Sequence, residues 1–483
     1  MAMAKISQNR ALLLGCLLAL PLPGHTGGVQ RYTVTVAPDL TRLAVSTCFQ
    51  APVPPRLTAG NGRAGQFLED ARVRGDGHTH RLRAAGSDLP LNGVAPGDCV
   101  DYGVRLTGMD ARSPGRKGRP PGPDRLTDPG LWLWLADSAT ASSIEVGFEL
   151  PAGIEVSAPW TRLDADDRHP RYRLADRPRD WDARVALGRL DRFDIEVGGA
   201  SLRVALLQGE PAADRDAVRR WITAGAQAIT TLYGRFPVPS PQVLVVPGGA
   251  GREPVPWGQV MRGGGDAVHL YIDQTRPLRE FLDDWTLVHE LSHLLHPRMA
   301  PDDAWLYEGI ASYYQNVLRA RAGALEPNTA WDNLHAGFQR GILGTPEDQT
   351  LIEVSQDMHR NRRFMRVYWS GAAIALMADK ELRRRSGDRE SLDTALARFQ
   401  TCCLPSDRLW SGRAFLDKLD ELTGTRVLRS LYAQHVDSTA FPDLRATYRQ
   451  LGLEARGARH VRLREDAPLS SLRRAIMVRD DNV

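Results

Sequence analysis

A chain of 483 residues with 42% hydrophobic and 25% charged residues has an ordinary globular composition, long enough for two or three domains with their own cores, which excludes a largely disordered chain. The formal charge of +4 comes from Arg spread along the whole length and offset locally by Asp, so no basic block points to nucleic acid.

At the start of the chain, Lys5 and Arg10 precede an uncharged apolar run, Ala11 to Leu22, closed by Pro23-Gly24. This is the pattern of a secretory signal, and the run is shorter than the ~20 residues a transmembrane helix needs. Residues 1–29 are therefore expected to be removed, leaving an exported chain, periplasmic or secreted, with no stable membrane span. Four cysteines then remain, Cys48, Cys99, Cys402 and Cys403, an even number suited to an oxidising compartment. Cys48 and Cys99 lie in a strand-rich segment and could bridge. The adjacent Cys402 and Cys403 could pair with each other, bridge elsewhere or stay reduced. None shows the CxxC spacing of a structural zinc site.

Residues 30–200 show short alternating runs broken by Gly, Pro and Asp, such as Tyr32-Thr33-Val34-Thr35-Val36 and Ile144-Glu145-Val146-Gly147-Phe148. They read as an all-β domain, with Arg112 to Gly130 as a surface loop too poor in apolar residues to pack. The texture changes near Pro211. Asp214 to Tyr233 carries Val218, Trp221, Ile222, Ile229 and Leu232 at helical spacing, and Gly225 on the same stripe would let a neighbouring element come close. Two strands are expected at Val243–Val246 and 267–272, with Gly263 to Gly265 between them serving as a turn or as room for a substrate backbone. After Pro277 helices dominate, around 282–296, 305–322, 368–385, 391–399 and 412–422.

The chemistry concentrates in His289-Glu290-Leu291-Ser292-His293. Residues four apart sit one helical turn above each other, so His289 and His293 project to one side and can hold one metal ion. Glu290 lies beside them, within reach of the proton of a water held there. Asp283 or Asp284 can cap the helix and Pro297 ends it. Fifteen positions after His293, Glu308 stands near the start of a second helix, where it can supply a third ligand. Two imidazoles and one carboxylate suit a single Zn2+ while leaving one position open, the arrangement of catalytic rather than structural sites. His296 has neither the Gly nor the later His that would make it a ligand, since Met299 occupies that later position. Ser312 can support a ligand or simply sit on the helix face. His269 and His359 read as structural or solvent-facing, and Tyr313 and Tyr314 as core.

His-Glu-x-x-His followed by Trp305-Leu306-Tyr307-Glu308-Gly309-Ile310-Ala311-Ser312-Tyr313-Tyr314 resembles the gluzincin zinc metallopeptidases, in particular the glycyl-aminopeptidase-like family and its aminopeptidase-N-like relatives. Tyr368-Trp369-Ser370-Gly371 and Ser391-Leu392-Asp393 are similar to further segments of that family. The resemblance implies that Tyr368 stabilises the oxyanion, that Glu290 serves as general base and that the substrate is a peptide. It also implies an α+β chain: an N-terminal β domain (30–200), a thermolysin-like catalytic domain (201–325), a helical domain (326–455) and a tail (456–483). The chain departs from the family in three ways. Leu295 replaces a frequent Trp and is expected to alter the pocket wall, the spacing from His293 to Glu308 is short, and Gly258 to Gly265 lacks the Glu that holds a substrate amine in the aminopeptidase-N group. A protein of another class, a catalytically weak zinc-containing fold that binds peptides or an envelope partner, would be expected to have lost Glu290 or the tyrosine. A serine or cysteine hydrolase lacks its G-x-S-x-G elbow.

Overall fold

In the computed structural model, which describes residues 28–109, 123–136, 141–174, 183–262, 264–406 and 408–478, the strand Gly28–Val36 buries Tyr32, Val34 and Val36 and exposes Thr33 and Thr35 between them. Side chains alternate across a strand, so this spacing creates one apolar face. The strand pairs antiparallel with Arg42–Cys48 and parallel with Ala141–Glu149, inside an eight-stranded sheet accompanied by two three-stranded ones. Trp132, Phe148, Trp160 and Tyr172 meet edge to face or stacked at the centre of this β region. Cys48 and Cys99 stand opposite each other on paired strands and are bonded, and Cys402 is bonded to Cys403. The signal segment lies outside the described residues up to residue 27.

A second sheet has five strands in the order Asp191–Val197, Ala200–Leu206, Gln242–Pro247, Asp266–Ile272 and Trp257–Arg262. The strand Asp191–Val197, read above with the N-terminal β segment, belongs here because Gly198 and Gly199, at φ of +53° and +78°, fold it onto its neighbour as a hairpin. The three central strands are parallel, and Trp257–Arg262 closes one edge antiparallel. One face of this sheet (Val243, Val245, Val268, Leu270) packs on helices; the other (Leu244, Val246, Tyr271) meets Leu126, Ala186 and Leu190 of the β region.

Asp214 starts the helix Arg215–Thr230 by accepting from the backbone N–H groups of Asp216 and Ala217. Gly225 on this helix faces Leu287, with room for no β-carbon: one there would lie 2.4 Å from Leu287 Cδ2. The helix expected over 282–296 is instead two, Leu278–Asp283 and Thr286–Ser292, followed by a 3-10 turn, His293–Leu295. Asp284 adopts extended backbone between them, and its carboxylate accepts from the Thr286 N–H at 2.7 Å, which starts the second helix. Helices Ala304–Arg321, Pro327–Leu343 and Phe364–Ser386 follow, with shorter ones beyond. The last of these three begins four residues before Tyr368, and Pro327–Leu343 has Pro at its first turn, where the missing N–H costs nothing.

Two expectations are corrected. Within the supposed loop Arg112 to Gly130, Arg125–Thr127 is a buried strand and Pro129–Trp132 a short helix; residues 112–122 lie outside the described part. As far as Val478, the last described residue, the Arg-rich C-terminal stretch is folded, not a free tail. Leu453–Arg456 pairs with His460–Leu463, and the helix Ser470–Met477 buries Ile476 and Met477. Arg473 is buried because its guanidinium donates to the carbonyls of Leu451, Gly452 and Arg464, so a charge at this position holds the turn rather than facing water. Among the described residues no helix is long and apolar enough to cross a membrane. The architecture is α+β, a β-rich N-terminal part leading into a mixed sheet and then helices, as expected.

Candidate metal centre

His289 and His293 project from the end of the helix Thr286–Ser292 and its 3-10 extension toward Glu308, in the second turn of the helix Ala304–Arg321. One ligand-type atom from each of the three lies within 4.8 Å of the others. His289 Nε2 is 3.1 Å and His293 Nε2 3.6 Å from Glu308 Oε2. The other ring nitrogen of His289 donates to Gln315 Oε1 at 2.8 Å, so Nε2 is the nitrogen turned toward Glu308, where it would meet a metal. Burial opposes ionisation of Glu308, yet the imidazoles of His293 and His289 hold its carboxyl well below the usual carboxylate range. Burial likewise disfavours a charged His289, but Glu308 and Glu290 outweigh it and raise the imidazole. Two imidazoles and one carboxylate whose ligand-type atoms converge form a donor set that fits a divalent cation of the zinc type.

The loop joining the two motif helices is short and held from outside. Ala300 N–H donates to the Trp410 carbonyl, Trp410 N–H to that of Arg298, and Asp303 accepts from the Gly412 N–H. Glu308 is followed by Gly309, and Tyr368 precedes Gly371 by three. These glycines make the crossing point of their helices: a β-carbon on Gly309 would lie 2.3 Å from Gly371 Cα. The close crossing brings Tyr368 over the site, its ring stacked on that of His289 with centroids 5.9 Å apart and its hydroxyl hydrogen-bonded to Glu308. Burial, with Glu308 and Glu290 nearby, pushes the Tyr368 phenol well above its ordinary value, so it keeps its proton.

Glu290 lies under the edge strand Trp257–Arg262. Gly258 permits this, because a β-carbon there would lie 2.6 Å from Glu290 Cγ, and the Val260 backbone N–H donates to the Glu290 carboxylate. Burial raises the Glu290 carboxyl above its ordinary value, partly offset by His289 and His293. All five residues singled out in the sequence, His289, Glu290, His293, Glu308 and Tyr368, line one cavity of about 660 Å³. Its remaining wall includes Trp257, Trp285, Tyr307, Phe364, Met365 and, at the rim, Glu253 and His359.

Apart from His359 at the cavity rim, the other candidates fall elsewhere. Leu295 is not part of the pocket wall but sits fully buried in the helical core. Gly264 has a φ of +85°, and Gly265 abuts the Pro159 carbonyl oxygen, so these two glycines turn the chain against the β region; Gly263 lies outside the described residues. His269 is buried in the sheet, while His359 packs edge-on against Phe364. Gln315, one turn beyond Ser312, supports His289, and Arg262 donates to the carbonyls of His293 and His296 at 2.7 and 3.0 Å. Neither was singled out in the sequence. Gln315 follows Glu308 by two turns, a spacing that puts it on the same helix face and was the one available signal.

Residues 287–373 match the model of the M61 glycyl aminopeptidase family. No curated protein matches the chain. Among solved structures the fold is similar to an aminopeptidase N family protein from Idiomarina loihiensis, with a TM-score of 0.69 and 14% identity over 88% of this chain and 78% of that one. It is also similar to an M1 zinc metallopeptidase from Deinococcus radiodurans, with a TM-score of 0.52 and 16% identity over 86% of this chain and 94% of that one. A variant of that enzyme bound to a Tyr-Ser-Ala substrate gives a TM-score of 0.53, with 16% identity over 86% and 95% of the two chains. At such identities the likeness carries the fold, and the family match carries the segment that holds both motif helices and Tyr368. Residues 287–373 thus match the glycyl aminopeptidase family, within a chain whose fold is similar to that of an aminopeptidase N family protein.

Proposed function

We propose that this chain is an exported zinc metallopeptidase of aminopeptidase type that hydrolyses peptide bonds. The observation that carries the reading is the convergence of His289, His293 and Glu308 donor atoms within 4.8 Å at a cavity that also holds Glu290 and Tyr368. In this reading the three converging residues hold one Zn2+. Zinc supplies Lewis acidity, polarising a carbonyl oxygen and making a water more acidic. Glu290 accepts the proton of the attacking water and passes it to the leaving amine. The Tyr368 hydroxyl donates to the oxyanion that develops on the scissile carbonyl. Trp257, Trp285 and Phe364 wall the cleft that receives the peptide.

Export rests on Lys5, Arg10 and the apolar run Ala11 to Leu22, and it agrees with the Cys48–Cys99 bond. Sequencing the mature N-terminus from fractionated cells tests it; an intact Met1 in the cytoplasmic fraction contradicts it. The peptidase reading is tested with unblocked and N-acetylated peptides, with and without a zinc chelator, on wild type and Glu290→Gln. Cleavage of unblocked peptides, abolished by the chelator, restored by zinc and at least about 100-fold slower in a variant that keeps its metal, is expected. Cleavage insensitive to the chelator, or a metal-replete variant with near-wild-type turnover, would overturn it.

A further inference from the structure

The His296 imidazole stands directly behind that of His293. Its Nε2 lies 3.3 Å from His293 Nδ1, and its own Nδ1 lies 2.8 Å from the Pro297 carbonyl oxygen. The rings meet edge to face with centroids 5.5 Å apart, and both residues are buried. A carbonyl oxygen only accepts, so the proton of the His296 ring sits on Nδ1 and its Nε2 is bare. That bare nitrogen can only accept from its neighbour. His293 therefore carries a proton on Nδ1 and turns Nε2 toward Glu308, where it would meet a metal.

The local sequence explains why a histidine three positions after His293 points back at it. A residue before proline is pushed out of the helical region, and His296 before Pro297 has φ −131° and ψ 163°. The 3-10 turn His293–Leu295 ends there, and Arg262 from the edge strand fastens the turn through the carbonyls of both His293 and His296. His289 has the equivalent support from Gln315. Both imidazoles thus lean on neutral acceptors, where a carboxylate would make them more basic.

We propose that His296 is a positioning residue, not a ligand: through the relay from His293 Nδ1 to His296 to the Pro297 carbonyl it fixes the tautomer and orientation in which His293 meets the metal. The proposal rests on the metal-site reading above. It applies to zinc binding itself, before any turnover.

Zinc affinity measured by competition with a chelating dye tests it, on wild type, His296→Leu and His296→Gln. Leu fills the space without an acceptor, whereas the Gln side-chain oxygen can reach His293 Nδ1 and accept from it. Zinc binding weakened about 10- to 100-fold in the Leu variant and largely recovered in the Gln variant is the expected result. Equal losses in both variants, or zinc bound by the Leu variant as tightly as by wild type, would overturn the positioning role alone. Wild type that binds no zinc would overturn the metal-site reading and the proposal with it. Ring-nitrogen NMR of metal-free wild type, selectively labelled at histidine, needs no variant to fold: Nδ1–H on both His293 and His296 is expected, and Nε2–H on His296 contradicts the relay.

Discussion

Gly309 and Gly371 touch backbone to backbone at the crossing of the helices Ala304–Arg321 and Phe364–Ser386, and a β-carbon on Gly371 would lie only 1.7 Å from the Trp305 carbonyl oxygen. That contact sets how far Tyr368 on one helix stands from Glu308 on the other. Backbone cannot step aside as a flexible side chain can, so Gly371→Ala must part the helices. We expect a stability loss of about 1–3 kcal/mol, together with a drop in kcat at temperatures where the variant is fully folded. Thermal unfolding and kinetics on the same preparation check this; a variant matching wild type in both would mean that the crossing has slack.

Tyr368→Phe removes the phenolic hydroxyl and leaves the ring stacked on His289. If that hydroxyl serves the oxyanion, kcat falls by about 2–4 kcal/mol of transition-state stabilisation while zinc content stays the same. An unchanged kcat would reduce Tyr368 to a packing residue.

Much of this arrangement was legible in the sequence where a physical period writes it there. Tyr32, Val34 and Val36 alternate because a strand buries one face, and Val218, Trp221 and Ile222 follow the helical stripe. His289, Glu290 and His293 were legible because all three sit within one turn and a half of a single segment. Tyr368 came from resemblance, since nothing in its own surroundings says that it crosses over His289. Gln315 and Arg262 went unread because their partners lie 26 and 31 or more residues away, and long-range polar pairs have no period. Asp284 is legible as a cap of the motif helix, whereas the separate short helix Leu278–Asp283 before it is not. The Arg-rich C-terminal stretch reads as solvated by composition, and only the structure shows Arg473 occupied with three carbonyl groups.

His269 makes acid stability a test of the sheet's packing. Complete burial, with Arg184 nearby, pushes its pKa down to about 3, against about 6.5 in an unfolded chain. Between these values the unfolded state binds the extra proton, so this contribution to stability is fully present above pH 6.5 and is lost as pH falls toward 3. From pH 7 to pH 5 the loss is about 2 kcal/mol. Urea unfolding at the two pH values, compared between wild type and His269→Leu, isolates it: the variant should show the smaller decline, and parallel declines would mean that His269 titrates normally in the fold.

The most direct test of the central claim is metal content by elemental analysis of the purified protein, wild type against His293→Ala and Glu308→Ala. The account predicts about one zinc per chain in wild type, the number a single site of two imidazoles and one carboxylate holds, and its loss in both variants. Zinc retained without Glu308 would contradict the ligand set, and a wild type that carries no zinc and takes none up would contradict the metallopeptidase reading as a whole.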